Sequence, residues 1–373
     1  MSKISSKFLL YFIQNRFVNT ASSSTLPSAS VSTIEFLKNS CGLAPGSPSS
    51  AGRKLQFDEK SAKKYEAVLG FLKSYGFENS QIAKLIAKQP SILQSRVCNN
   101  LKPKFEFLED IGFVGPLLPK VILLDPSILQ RGLDSHLKPS FCFIKEMLGS
   151  DEQANVAILR SSWLLTSNLK GVMQSNVNVL LGEGVPSRNI SKLIGQQPRT
   201  IMHKVDRVVC AVKKIKELGI EPQTCMFVRA LRVVMSMNDT TWKKKINVLK
   251  SLGWSEKEIL TAFKKDPYCL ACSEEKMRAV ADFCLNTAKL DPETVISNPK
   301  FFMYGLDKWL RPRFKVVEVL KVKKLIKNTK IAWLLLLDER IFVKNYVLKH
   351  LDEVPDLMDI FRGNAAAESR PVL

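Results

Sequence analysis

The chain has 373 residues, 45% of them hydrophobic, enough for one or two packed cores or one elongated array, and this excludes a disordered protein. Its formal charge of +21, from 56 Lys and Arg against 35 Asp and Glu, points to a polyanionic partner. No apolar run approaches the roughly 18 residues that span a bilayer. Of the two polyanions such a charge suits, nucleic acid and an acidic membrane surface, nucleic acid is the expected partner and no membrane is.

Residues 1–39 carry Lys3, Lys7 and Arg16 but no acid before Glu35, and they are rich in Ser. Phe8, Leu9, Phe12 and Ile13 fall on one side of a helix. That is the composition of an organellar transit peptide. The early Arg-bearing amphipathic stretch favours a mitochondrion, with a chloroplast as the alternative. Residues 40–64, which contain GLAPGSPSSAG, read as a linker rich in Gly, Pro and Ser.

From Phe71 onward a rhythm takes over. QPSILQ at 89–94 returns as DPSILQ at 125–130. Gly76 and Pro90 stand fourteen positions apart, as do Gly112 and Pro126, Gly184 and Pro198, and Gly253 and Pro267. Ser162 and Val233 occupy the proline position in two intervening units, and Pro299 marks a last one. The anchors 90, 126, 162, 198, 233, 267 and 299 drift in spacing from 36 to 32 residues. Self-similarity at this period marks a helical repeat array.

Each unit has a physical grammar. A first helix ends in an apolar residue and Gly, as at Ile111-Gly112, Leu148-Gly149, Leu218-Gly219 and Leu252-Gly253, because Gly accepts the left-handed closing conformation. A second helix opens on a cap: Ser255 with Glu258, Ser150 with Gln153, or Asp291 before Pro292. Its apolar face follows helical spacing, as in Ile82, Leu85 and Ile86. Proline ends it, and the S-I-L tag predicts a single 3₁₀ turn buried between neighbours. Lys102-Pro103 and Lys138-Pro139 are expected to start the next first helix. The prediction is an all-α helical-repeat solenoid over 65–363, with about seven repeats of 32–36 residues and a C-terminal tail at 364–373.

With this grammar the chain resembles the mTERF family, the mitochondrial transcription termination factors and their plant relatives. The letters that carry the resemblance are QPSIL, DPSIL, QQPRTI, KKDPYCL and SNPKFF. LRPRFKVVEVLK (310–321) and YVLKHLDEVPDLMDIFRG (346–363) are similar to the C-terminal signature of its plant organellar branch. The resemblance implies a left-handed superhelix whose concave basic face holds nucleic acid, with duplex DNA as the default ligand and a role in transcription or its termination. RNA binding in transcript processing or intron splicing is the alternative. Pentatricopeptide arrays share a period near 35 but lack the fixed Gly-to-Pro offset.

The charge is concentrated. Residues 199–250 hold twelve Lys and Arg against four acids, and residues 308–330 hold nine against one. These two stretches carry 16 of the 21 excess charges, whereas 71–150 is nearly balanced. That concentration favours a phosphate-binding surface over a scaffold for other proteins, the rival reading. The candidate nucleic-acid-binding residues are Arg199, Lys204, Arg207, Arg229, Arg232, Lys243, Lys244 and Lys245 in the first stretch. In the second they are Arg311, Arg313, Lys315, Lys321, Lys323 and Lys324. Arg199 replaces the Ser that follows Pro90 and Pro126. Trp242 and Phe314, which lie among these charges, are expected to pack in the core rather than to stack on bases.

Catalytic chemistry is not legible. There is no phosphate loop, no H-E-x-x-H and no G-x-G-x-x-G. His136, His203 and His350 are isolated, and Asp338 and Glu339 are adjacent and so diverge on a helix. Cys269 and Cys272 form a lone C-x-x-C with no second ligand pair, so buried thiols are expected rather than zinc. We therefore expect a binding protein, not an enzyme, monomeric and without cofactor or metal. Organellar transcription or processing machinery is a further expected partner.

Overall fold

The structure is a computed structural model that describes residues 59–327 and 330–363, together with residues 38, 39, 42 and 55. The expected transit peptide, the C-terminal tail and most of the expected linker lie outside the described residues. The first helix described along its whole length begins at Glu59, inside the stretch read as linker. Among the described residues every regular element is helical. No helix there is long and apolar enough to cross a membrane.

The helices fall into two compact units, divided between Leu137 and Lys138. In the first, α1 (Glu59–Ser74) and α2 (Asn79–Lys88) are followed by α3 (Lys102–Asp110) and α4 (Leu117–Leu124). The 3₁₀ turn Pro90–Gln94 packs on α1, and α2 lies against α4. Ile92, Leu93, Ile128 and Leu129 are buried, so the S-I-L tags plug the core as the pattern predicts. Phe105 gathers Phe71 and Tyr75 edge-on, with centroids 4.8 and 4.9 Å away.

The second unit continues the alternation. Its first helices are α5 (Lys138–Leu148), α7 (Leu169–Gly182), α9 (Val205–Glu217), α11 (Asp239–Ser251), α13 (Glu274–Asp282) and α15 (Arg311–Val322). Its second helices are α6 (Asp151–Arg160), α8 (Ser187–Gln196), α10 (Cys225–Met235), α12 (Glu256–Lys265) and α14 (Pro292–Ser297). Successive second helices pack on one another from α6 to α14, and α5, α7 and α9 form a matching column of first helices. Three short helices follow among the described residues: α16 (Ile331–Leu336), α17 (Glu339–Phe342) and α18 (Leu357–Arg362). They share a core of Val316, Leu320, Leu334, Phe342, Val347 and Leu357 with α15.

Local chemistry explains the joints. Ser255 and Glu258 form a reciprocal capping box, whereas Ser150 accepts from the Gln153 N–H without a return bond from the Gln153 side chain. Asp291 caps through the Thr294 N–H, with Pro292 at the first helical position. Gly112 closes α3 at φ 103°, a region an L side chain enters only at a cost of about 1–2 kcal/mol. Lys289 and Lys324 adopt positive φ without being glycine.

One expectation changes. Six of the seven anchors open a 3₁₀ turn, including Ser162, but Val233 does not. There α10 runs unbroken to Met235: Val233 neither forces the preceding residue out of helix, as proline does, nor competes for backbone hydrogen bonds, as Ser does. Lys102-Pro103 and Lys138-Pro139 open α3 and α5, as expected. A five-residue π turn precedes each of them and also Arg311-Pro312: Val97–Leu101, Leu133–Leu137 and Leu306–Leu310. The Leu101 N–H donates to the Arg96 carbonyl, five residues back, at 3.2 Å. A widened turn beside the proline relieves the ring's clash with the preceding turn and accommodates its missing donor.

Candidate nucleic-acid interface

The polar and charged residues fall into three groups. Lys104, Asn176 and Lys245 each lie eight residues before the glycine that closes their helix, and each reaches a carbonyl 25 residues ahead. The acceptors Leu129, Ile201 and Leu270 lie in the 3₁₀ turns of their units, the last two as the final residue. Lys104 Nζ donates at 2.6 Å, and burial pulls its pKa below the ordinary lysine value. The Lys245 ammonium, in a residue only 8% exposed, donates to the Leu270 and Cys272 carbonyls, both at 2.7 Å. Ala211 holds this position before Gly219 and cannot donate. Arg207, four residues earlier, reaches the Met235 carbonyl at 3.0 Å instead.

Arg313 is the extreme case. It is 1% exposed, with its guanidinium carbon 3.6 Å from the Trp309 ring centroid and 4.8 Å from that of Phe342. It donates to the Leu337 carbonyl, and desolvation pushes its pKa down to about 10. Lys245 and Arg313 therefore leave the candidate set. Their charges hold backbone oxygens that a helical turn leaves without partners, and phosphate has no access to them.

The other candidates keep their charge at the surface. Lys204, Lys243, Lys244, Lys315, Lys321 and Lys324 are exposed. Arg311 is exposed as well, paired with Asp307 at 3.1 Å and set 5.8 Å from the Phe283 centroid. Lys323 makes a long 3.5 Å contact with the Glu353 carbonyl. On α15, Arg311 and Lys315 stand one turn apart on the solvent side, while Phe314 packs inward against Phe283. Trp242 likewise meets Phe263 edge-on at 5.2 Å, with the Lys214 ammonium 4.6 Å from its ring centroid. Both aromatics serve packing, as expected.

A third group lies along the residues that follow the anchors. Arg199, after Pro198, extends over Trp163, its counterpart in the preceding repeat, at 5.8 Å. Tyr268, after Pro267, receives Arg232 at 4.9 Å and Arg229 at 5.6 Å. Arg232 also donates to the Tyr268 hydroxyl at 3.1 Å. Arg229 lies 3.9 Å from the Asp266 carboxylate, which is buried at the base of this turn. The row interleaves guanidinium and aromatic faces, both of which bind bases and phosphates. Trp163 and Tyr268 were not among the sequence candidates. Their place directly after an anchor was the available signal, because Arg199, a sequence candidate, holds the same position in its own repeat.

Titratable groups give no catalytic constellation among the described residues. Burial pushes the Cys269 thiol up to about 12 and raises Cys272, which donates to the Cys269 carbonyl at 3.6 Å. These thiols stay protonated. His203 is shifted down by burial and then by the neighbouring Arg207, so its imidazole is neutral at physiological pH. No group of three or more metal-ligating side chains converges among the described residues.

In a direct sequence comparison no curated protein matches the chain. The mTERF family model matches residues 69–278 and 211–343, overlapping spans that cover the described repeats of both units. The matched region contains every proline anchor, the 3₁₀ turns and all the surface cations above. This long match, on an all-helical repeat fold, shows that the chain belongs to the mTERF family.

Proposed function

We propose that the protein binds nucleic acid, with duplex DNA as the default ligand, and regulates organellar transcription by occupying its site, termination included. The observation that carries this reading is the persistence of exposed cations after the structural ones are removed. Lys243 and Lys244 on α11, with Lys315 and Lys321 on α15, remain directed to solvent. Family membership supplies the class of partner. The mechanism is binding rather than bond-making: cations neutralise phosphates and release condensed counterions, and the clamped ligand obstructs or recruits other machinery. The row formed by Trp163, Arg199, Arg232 and Tyr268 favours RNA as a second reading, since aromatic faces serve single strands better than closed duplexes.

The test is a salt titration of binding with Lys243→Ala/Lys244→Ala. Each true phosphate contact removed flattens the slope of log affinity against log salt by about 0.9 on duplex DNA and about 0.7 on a single strand. Affinity should fall for many sequences alike, because phosphate contacts position without reading bases. An unchanged slope on both ligands would remove these lysines from the interface and strengthen the scaffold reading.

The address is proposed from the acid-free N-terminus. Residues 1–50 fused to a fluorescent reporter should carry it into mitochondria. A plastid signal would change the organelle, and a diffuse cytosolic signal would refute a transit peptide.

A further inference from the structure

A groove of about 740 Å³ in the second unit lies where the last proline-anchored turn meets α16. Its volume is that of an ordinary small-molecule site, among roughly 300–1,000 Å³. Ile331, Trp333 and Leu336 give it an apolar wall, and Trp333 remains 53% exposed although it is among the largest side chains in the chain. Lys300 and Lys330 line the same groove and are exposed. Two carboxylates also line it, but both are committed to turns. Asp266 accepts from the Tyr268 N–H at 3.2 Å, and Asp291 accepts from the Thr294 N–H at 2.7 Å and hydroxyl at 2.6 Å.

We propose that this groove binds a single unstacked nucleotide, its base against Trp333 and its phosphate at Lys300 and Lys330. A large flat ring left half in solvent beside two ammonium groups matches the two halves of a nucleotide, an aromatic face and an anion. A purely apolar partner would leave the lysines unused, and a simple anion would leave the tryptophan wall unused. Asn298 also lines the groove and is partly buried, so an amide is within the site to read a base edge. Lys300 directly follows Pro299, the position that Arg199 and Tyr268 hold after their own anchors. The groove thus continues the guanidinium and aromatic row into the last repeat. The inference deepens the nucleic-acid reading and rests on it. The nucleotide can come from an unpaired position in a strand or from the free pool.

The experiment follows tryptophan fluorescence of the full chain titrated with adenosine 5′-monophosphate, adenosine, a single-stranded oligonucleotide and a fully paired duplex. The monophosphate should quench the wild type, and Trp333→Leu should abolish that change while leaving the melting temperature in place. Lys300→Ala/Lys330→Ala should weaken the monophosphate by about tenfold and adenosine much less. Quenching by the monophosphate alone assigns the groove to free nucleotide, and quenching by the single strand as well assigns it to an unpaired position. Quenching that survives Trp333→Leu, or equal losses for adenosine and monophosphate in the lysine variant, would overturn the proposal. If the groove fails while salt-dependent duplex binding persists, only this inference falls. If the wild type binds neither duplex nor single strand, the functional reading falls, whatever the mononucleotide does.

Discussion

Arg313→Ala should cost about 3–5 kcal/mol of stability, the range for breaking a buried charged contact and emptying a large core site. The guanidinium lies between Trp309 and Phe342 and donates to the Leu337 carbonyl, which joins α15 to the end of α16. Truncation removes the cation–π contacts, leaves the carbonyl without its donor and opens a cavity beneath α17. At about 2–4 °C per kcal/mol for a unit of this size, the melting temperature should fall by roughly 6–20 °C. Arg313→Met separates volume from charge: it refills the space and removes the desolvation cost, so its loss should be clearly smaller. The discriminating readout is binding measured well below both melting temperatures, where neither variant should alter the salt slope. A stable Arg313→Ala with weakened binding would return this residue to the interface.

Lys245→Ala carries the second large effect, about 2–4 kcal/mol. Two carbonyls, of Leu270 and Cys272, lose a charge-assisted donor at once, the first of them in a buried site. Its neighbours make the control. Lys243→Ala and Lys244→Ala change exposed side chains on the same helix and should stay within about 0.5 kcal/mol of wild type. Chemical denaturation of the three single variants checks this. Equal stabilities would show that the Lys245 contacts add nothing, and a joint fall in stability would show that all three lysines are structural. Substituting all three together would confound binding with unfolding, which is why Lys245 belongs in a separate protein.

These variants also locate what was readable beforehand. The repeat follows from local rules: a glycine that closes one helix and a proline that ends the next recur at one offset, and backbone geometry does the rest. Burial of Ile92, Leu93, Ile128 and Leu129 followed from the same pattern, as did the Ser255 cap. The fifth unit departs because its anchor is Val233, which lets α10 continue. The π turns before Pro103, Pro139 and Pro312 had no signal of their own, since they resolve a backbone conflict that exists only once the helix is extended backwards.

By itself the sequence determined the all-helical repeat, the family and the two stretches where positive charge accumulates, because each depends on composition or on residues near in the chain. Only the tertiary structure decided what each cation does. Lys243, Lys244 and Lys245 are adjacent letters of one type, but successive residues turn about 100° around a helix. That rotation leaves two in solvent and sends the third to carbonyls 25 and 27 residues away. The acceptors are backbone oxygens, which every residue possesses, so no side-chain pattern marks them. The sequence therefore records where charge is dense, and the stacking of one repeat on the next decides which of those charges remain available to phosphate.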